Sequence, residues 1–179
     1  MPGLLEGKNV NLRVVEREDL FKNAELINNP EYFGEYNPLV QMSKADLEKQ
    51  YEKLGPEEKR FLIEKKDGNR IGGITHFPAG EILEIGYVLI PSERGKGYGT
   101  EAVKIMVDYL FLSKDIVRVQ AHADVRNVAS QKVLEKAGFR KEGTIRKFKF
   151  IRGEWRDLLL YSILREEWKE PRILTKLLR

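Results

Sequence analysis

Between Glu84 and Glu101 the chain reads EIGYVLIPSERGKGYGTE: an apolar strand-like run, a proline, then a basic glycine-rich loop that opens directly into a helix-patterned stretch. A strand that turns at once into a helix is the mark of a mixed α/β chain. Gly95, Gly97 and Gly99 let a backbone approach an anion closely, and the amides that start the following helix point towards it. Arg94 and Lys96 add positive charge. The junction is built to hold phosphate, and function depends on what that phosphate belongs to.

Periodicity supplies the neighbours of this junction. Val10, Leu12 and Val14 alternate with polar residues, which predicts a first strand over about Lys8 to Glu16. Leu20, Ala24 and Ile27 describe a short amphipathic helix that Asn28-Asn29-Pro30 should stop, and Ser43 caps a second helix running to Gly55-Pro56. Between them Tyr32, Phe33 and Tyr36 read either as ordinary packing or as a lip over a cleft. Phe61 to Lys66 and Arg70 to Phe77 flank Asp67-Gly68-Asn69, whose glycine supplies the positive φ of a tight hairpin, and Ile82 to Ile90 returns as a third antiparallel strand. After the glycine loop, Ala102, Val103, Met106, Val107, Leu110 and Phe111 share one face of a helix. Val117 to Val125 then reads as a strand, Asn127 as the cap of a helix over Ala129 to Ala137, and Arg140 to Phe150 with Trp155 to Leu164 as a closing hairpin. The expected whole is one domain over residues 1–179, with a mostly antiparallel sheet of about seven strands flanked by helices.

The chain has no cysteine, which excludes a thiol nucleophile, a thiolate zinc site and a disulfide framework. Chemistry falls to oxygen and nitrogen side chains or to a bound cofactor, and no metal is implied. The start, MPGLLEGKNV, has no basic region followed by a long apolar run, so a soluble cytoplasmic protein with no membrane partner is the expectation. Net charge is +4, but 34% of residues are charged and both signs are interspersed, as on a solvated surface. The asymmetry sits at the end, where Arg140 to Arg179 holds 12 Lys or Arg against 6 Asp or Glu. Nucleic-acid readers show denser clusters or a named motif, so direct nucleic-acid binding is not expected. The segment Trp168 to Leu178 offers apolar surface for a homodimer.

Spacing separates three owners of a basic glycine loop. The Walker loop requires Gly, four residues, then Gly-Lys-Ser/Thr, and no stretch fits. The dinucleotide fingerprint fails at its last glycine, because Thr100 stands there, and the strands ahead of the loop read as an antiparallel meander. The third pattern, Arg or Gln, two residues, Gly, one residue, Gly or Ala, is met by Arg94-Gly95-Lys96-Gly97-Tyr98-Gly99. With Asn127-Val128-Ala129-Ser130, Leu134-Glu135-Lys136-Ala137-Gly138-Phe139, Lys141-Glu142-Gly143 and Gly153-Glu154-Trp155-Arg156-Asp157, the chain resembles the GCN5-related N-acetyltransferase superfamily from about Lys8 to Arg165. Within it, the series resembles the Rim-type branch that acetylates ribosomal-protein N-termini.

The resemblance implies a sheet splayed at the strands before and after the loop, with acetyl-CoA lying in the V. Backbone groups of Val88, Leu89 and Ile90 would hold the pantetheine arm and acetyl group, and amides from Arg94 through Gly95, Lys96, Gly97, Tyr98, Gly99 and Thr100 the pyrophosphate. The acceptor would be a primary amine, either a protein N-terminus, ribosomal proteins included, or a small molecule; a CoA-binding module without catalysis is the alternative. Glu84 is the implied base, or else a solvent-facing strand residue. His76 and His122 titrate near neutrality, although a lone His is more often structural. Leu134 stands where many superfamily members place a Tyr acid, and Ser130 is the Rim-type substitute, or a first-turn cap. Asn127 would hold the pantetheine amide, cap the helix, or do both. Rim-type enzymes can carry a Glu in the strand before Gly153, where this chain has Lys147-Phe148-Lys149-Phe150. Asp157 and Tyr161 share one face of the last strand, lining the acceptor cleft or, for Asp157, pairing with an Arg.

Overall fold

The computed structural model describes residues 4–169 and 171–174, so the end of the apolar segment expected to reach Leu178 lies outside the described residues. Its elements run β1 (Leu4–Glu6), β2 (Val10–Val14), α1 (Asp19–Ile27), α2 (Pro30–Phe33), α3 (Lys44–Glu52), β3 (Lys59–Lys65), β4 (Arg70–Ala79), β5 (Ile82–Leu89), α4 (Tyr98–Ser113), β6 (Arg118–Asp124), α5 (Val128–Lys136), β7 (Arg140–Ile151) and β8 (Glu154–Leu164). The sheet has eight strands in the order β1-β2-β3-β4-β5-β6-β8-β7, antiparallel except where β5 meets β6. One strand more than expected is present because Leu4–Glu6 pairs with Asn11–Arg13, although three residues are too short to show a period.

Period two decides which face each strand presents. Phe61 and Ile63 enter the main core with Ile74, Ile85 and the buried side of α4, while Leu62 between them packs with Val15, Leu20 and Tyr51 beneath α1 and α3. α4 buries Ala102, Val103, Ile105, Met106, Val107, Leu110 and Phe111, the predicted face with Ile105 added. Ser43 caps α3 as expected and completes a capping box with Asp46. Pro30 does not simply stop a helix. It occupies the first turn of α2, capped by Asn29, where its missing amide and set φ are favourable.

His76 is fully buried, packed with Phe61 and Tyr109, and burial together with nearby Lys114 pushes its pKa down to about 4. It is a neutral core residue and not a base. Trp168 packs on Phe111 and donates to Asp108, whereas Trp155 is exposed and meets Phe150 edge-on.

Asp19, the first residue of α1, is a buried carboxylate gripped by Arg13 at 2.9 Å and by Arg70. Burial works to raise its pKa, but the Arg13 hydrogen bond and further partners outweigh it and hold the carboxyl below its ordinary range. A carboxyl held low in the folded state contributes stability above the unfolded value of about 3.9, and that contribution fades as pH falls through the folded value. Asp19→Asn is therefore expected to cost about 1–3 kcal/mol at pH 7. The gap in melting temperature from wild type should close as pH drops below about 4, and a pH-independent gap would refute the ion-pair role.

Candidate active site

β5 and β6 pair in parallel only at Leu83 with Val119 and Glu84 with Gln120. Beyond Glu84 no residue of β5 has a partner on β6, although β6 stays paired with β8 on its other edge along its length. The two strands part as a V. A cleft of about 460 Å³ opens there, lined by Tyr87, Val88 and Leu89 from β5, by the glycine loop, and by Asn127, Ser130, Lys132, Val133 and Lys136 from α5. On β4, Gly72 keeps the wall close: a Cβ there would stand 2.1 Å from the Val88 carbonyl oxygen.

Pro91 opens a single 3-10 turn, Pro91–Glu93, and the chain then enters the loop. Gly95 and Gly97 adopt φ of 75° and 86°, the left-handed region that favours glycine, and a Cβ on either would meet nothing within 4 Å. The amides of residues 95 to 100 donate to no group among the described residues; the first amide bonded back is that of Glu101, to the Gly97 carbonyl. Six consecutive free donors at the positive end of a sixteen-residue helix form an anion cradle. Gly95, Gly97, Gly99 and Thr100 line the cleft.

The remaining loop residues do different work. Arg94, expected to add charge to the phosphate site, instead donates Nε to the Leu89 carbonyl at 2.9 Å and a terminal nitrogen to the carbonyls of Tyr32 at 2.8 Å and Glu31 at 3.2 Å. It is a strut between the loop, the end of β5 and α2, though it still lines the cleft. Lys96 pairs with Glu93 at 3.1 Å, Tyr98 packs against the core, and the amide of Ile90 is taken by the Ile71 carbonyl. Ile90, Lys96 and Tyr98 therefore stand outside the cleft lining, and any part they take is through the loop backbone. Lys132 and Lys136, which sequence reasoning missed, line the cleft from α5 with side chains that have no partner. Their signal was the spacing of four along one helix face.

Ser130 sits in the first turn of α5, its amide held by the Asn127 side chain at 3.1 Å, so Asn127 is the cap and also lines the cleft. The Ser130 hydroxyl lies 2.8 Å from the Tyr87 hydroxyl, and burial pushes the Tyr87 pKa up to about 12. Tyr87 thus stays protonated at neutral pH beside the cleft. Sequence reasoning did not single it out; its signal was its alternation with Leu83 and Ile85 towards the helix-covered face. Leu134 is fully buried, so no acid acts from that position.

On the other face of the sheet Glu84 is half-buried, with its oxygens taken by Gln120 Nε2 at 2.8 Å and by His122 Nδ1 at 2.7 Å. Neither residue lines the cleft; they stand at the apex where the strands part. Tyr32 is buried, whereas Phe33 and Tyr36 line the cleft, so the aromatic segment divides between packing and lip. Arg152, in the β7–β8 turn, donates to the carbonyls of Pro30, Gly34 and Asn37 and holds that lip against the hairpin. Tyr161 faces the core and donates to Glu135, while Asp157 accepts from the Lys147 amide at 2.8 Å and not from an Arg.

Comparison with known proteins agrees with this geometry. Residues 9–140 match the family described as acetyltransferase (GNAT) domain. The chain is 33% identical over 175 residues to the probable N-acetyltransferase YjcK of Bacillus subtilis, covering 90% of this chain and 97% of that one. It is 29% identical to the putative ribosomal N-acetyltransferase YdaF of the same organism, covering 90% and 94%. Among solved structures it resembles spermidine N-acetyltransferase from Vibrio cholerae in complex with CoA and spermine, with a TM-score of 0.79, 26% identity, and 89% and 97% of the two chains covered.

Proposed function

The chain belongs to the GNAT acetyltransferase family and is an N-acetyltransferase, and from that premise we propose that it carries the acetyl group of acetyl-CoA directly to the α-amine of a protein or peptide. The single observation that carries the cofactor assignment is the row of six free amides, Gly95 to Thr100, beside a cleft with Lys132 and Lys136 on its far wall. That donor set fits a pyrophosphate: fixed backbone N–H groups at a helix N-terminus need no side-chain reorganisation. Backbone groups of Val88 and Leu89, free of any β6 partner, would run along the pantetheine arm, and the Asn127 side chain would meet it from α5.

Acetyl-CoA supplies a thioester carbonyl open to attack. The protein's tasks are to orient it, to remove a proton from the acceptor and to neutralise sulfur as it leaves. Tyr87, protonated and hydrogen-bonded to Ser130, is the proton donor for that sulfur. Glu84, held by Gln120 and His122 at the apex, supplies the negative charge that draws the acceptor's proton.

The charge on the acceptor side supports a peptide over a polyamine. Arg146, Lys147 and Lys149 on β7 have exposed side chains with no partner, next to Phe148, which stacks on His122. Asp124 on β6 is paired with Arg126 and Arg156, and Glu154 on β8 with Arg156. A polycation approaching this hairpin meets uncompensated positive charge, whereas a peptide with acidic residues after its N-terminus is attracted. The second reading, a small polyamine, is favoured by the likeness to a spermidine N-acetyltransferase. Steady-state acetylation of a peptide library beside spermidine and spermine separates the two. We expect the highest kcat/KM for peptides with Asp or Glu at the second to fourth positions, with values that fall as salt rises. Spermidine turning over faster than every peptide would sink the peptide reading.

A further inference from the structure

His122 stands on β6 just past the last β5–β6 pair, its side chain 11% exposed, with Nδ1 2.7 Å from Glu84 Oε1. A carboxylate on one ring nitrogen sets the tautomer: Nδ1–H donates to Glu84, and Nε2 keeps its lone pair. Gln120 Nε2 holds the other Glu84 oxygen at 2.8 Å, so the carboxylate is fixed at both ends. Phe148 lies over the imidazole, ring centroids 4.9 Å apart and planes 21° apart.

Phe148 reaches that position because β7 is bulged. Three residues between Ile145 and Lys149 stand opposite the single residue between Leu158 and Arg156, and Lys147 takes φ 46°. The Asp157 carboxylate holds the Lys147 amide at 2.8 Å, which keeps the bulge in place. Bulges re-aim side chains, and this one turns an aromatic ring onto the only histidine that touches a carboxylate among the described residues.

Other ionisable groups surround His122. Glu84 faces it from β5 with both oxygens engaged; Asp124, two residues along β6, is ion-paired with Arg126 and Arg156. Leu160 lies opposite on β8, and Lys147 and Lys149 flank Phe148 on β7. His122 Nε2 has no hydrogen-bond partner among the described residues; of the neighbouring carboxylates, Asp124 keeps Oδ2 without a hydrogen bond, but buried 3.6 Å from the Arg156 guanidinium.

We propose that His122 is a catalytic residue for the acetyl transfer inferred above, on which this rests, and that Glu84 positions it. The acceptor ammonium gives one proton to Nε2 and becomes an amine. Its lone pair forms the N–C bond to the thioester carbonyl carbon, and the C–S bond breaks with its electron pair leaving on sulfur. Tyr87 protonates that sulfur and regains its proton from water, while the amide nitrogen releases its excess proton to solvent. Glu84 stabilises the imidazolium formed in the first step. Phe148 keeps water from one face of the ring.

The pH dependence of kcat/KM, measured with wild type, His122→Gln and Glu84→Gln alongside melting with CoA alone, tests this. In wild type kcat/KM should rise with pH through a limb that depends on His122. His122→Gln should lose about 100-fold in kcat/KM at pH 7, lack that limb, and keep the CoA-induced rise in melting temperature. Glu84→Gln should keep the limb that His122→Gln lacks, with a lower kcat/KM, because the imidazole remains and only its positioning carboxylate is lost. Wild-type activity and limb in His122→Gln overturn the proposal, and so does loss of activity together with loss of CoA stabilisation, which marks a structural role. If wild type is not itself stabilised by CoA, the acetyl-transfer reading fails instead, whatever the variants do.

Discussion

Gly97→Asp is expected to abolish the rise in melting temperature that CoA gives the wild-type protein. That rise is about 2.7 kcal/mol at a ligand concentration 100 times Kd. For a chain of this size each kcal/mol is worth about 2–4 °C. Two effects act together in the variant. Gly97 has φ 86°, where a side chain costs about 1–2 kcal/mol, and a Cβ there would point into open cleft. Gly97 is also the N-cap of α4, so an Asp side chain would accept from the amides of Gly99 or Thr100 and place a carboxylate where the pyrophosphate binds. The cap bond offsets the backbone strain, which keeps the apoprotein folded, while the intramolecular anion displaces the ligand. Thermal shift and calorimetric titration with CoA provide the check. A variant that melts as wild type and still gains the full shift would sink the cradle assignment.

Tyr87→Phe is expected to lower kcat by about 10²–10⁴ while CoA binding stays unchanged. The substitution removes the hydroxyl and leaves the ring, which packs against the main core, so no cavity forms. What is lost is the proton donor: a phenol that burial keeps protonated up to about 12, aimed at the cleft by the Ser130 hydroxyl 2.8 Å away. Ser130→Ala should fall between wild type and Tyr87→Phe, because it frees the phenol from its orienting partner without deleting it. Single-turnover acetylation separates chemistry from release. If Tyr87→Phe turns over within a few-fold of wild type while Ser130→Ala is inactive, the roles are reversed and the serine is the donor.

Much of the fold was legible because local pattern and final environment agree. Val10, Leu12 and Val14 alternate in sequence and present alternate faces in β2, and the apolar stripe from Ala102 to Phe111 is the buried side of α4. Ser43 and Asn127 cap the helices they precede. Reading faltered where a residue's meaning depends on a distant partner. Pro30 looked like a stop and is a start, because Asn29 caps a further turn whose carbonyls Arg94 and Arg152 then claim. Leu4–Glu6 is a strand only because β2 is there to pair with it. Arg94 read as charge for the phosphate, and only the fold shows that its guanidinium, while lining the cleft, also braces the carbonyls of Leu89 and α2.

By itself, the sequence determined that the turn from β5 into α4 would present a row of donors suited to an anion. Glycine φ values, a helix N-terminus and the spacing of Arg94, Gly95, Gly97 and Gly99 are local properties, carried by residues adjacent in the chain. Only the tertiary structure decided the chemistry around that anion. Tyr87 and Ser130 are 43 residues apart and meet because α5 lies beside the parted strands, whereas Glu84 and His122 are 38 apart and meet because β5 and β6 are still paired at Glu84 and Gln120. Proton transfer needs heavy atoms within about 3 Å of each other, and a distance of that kind is set by how strands and helices pack.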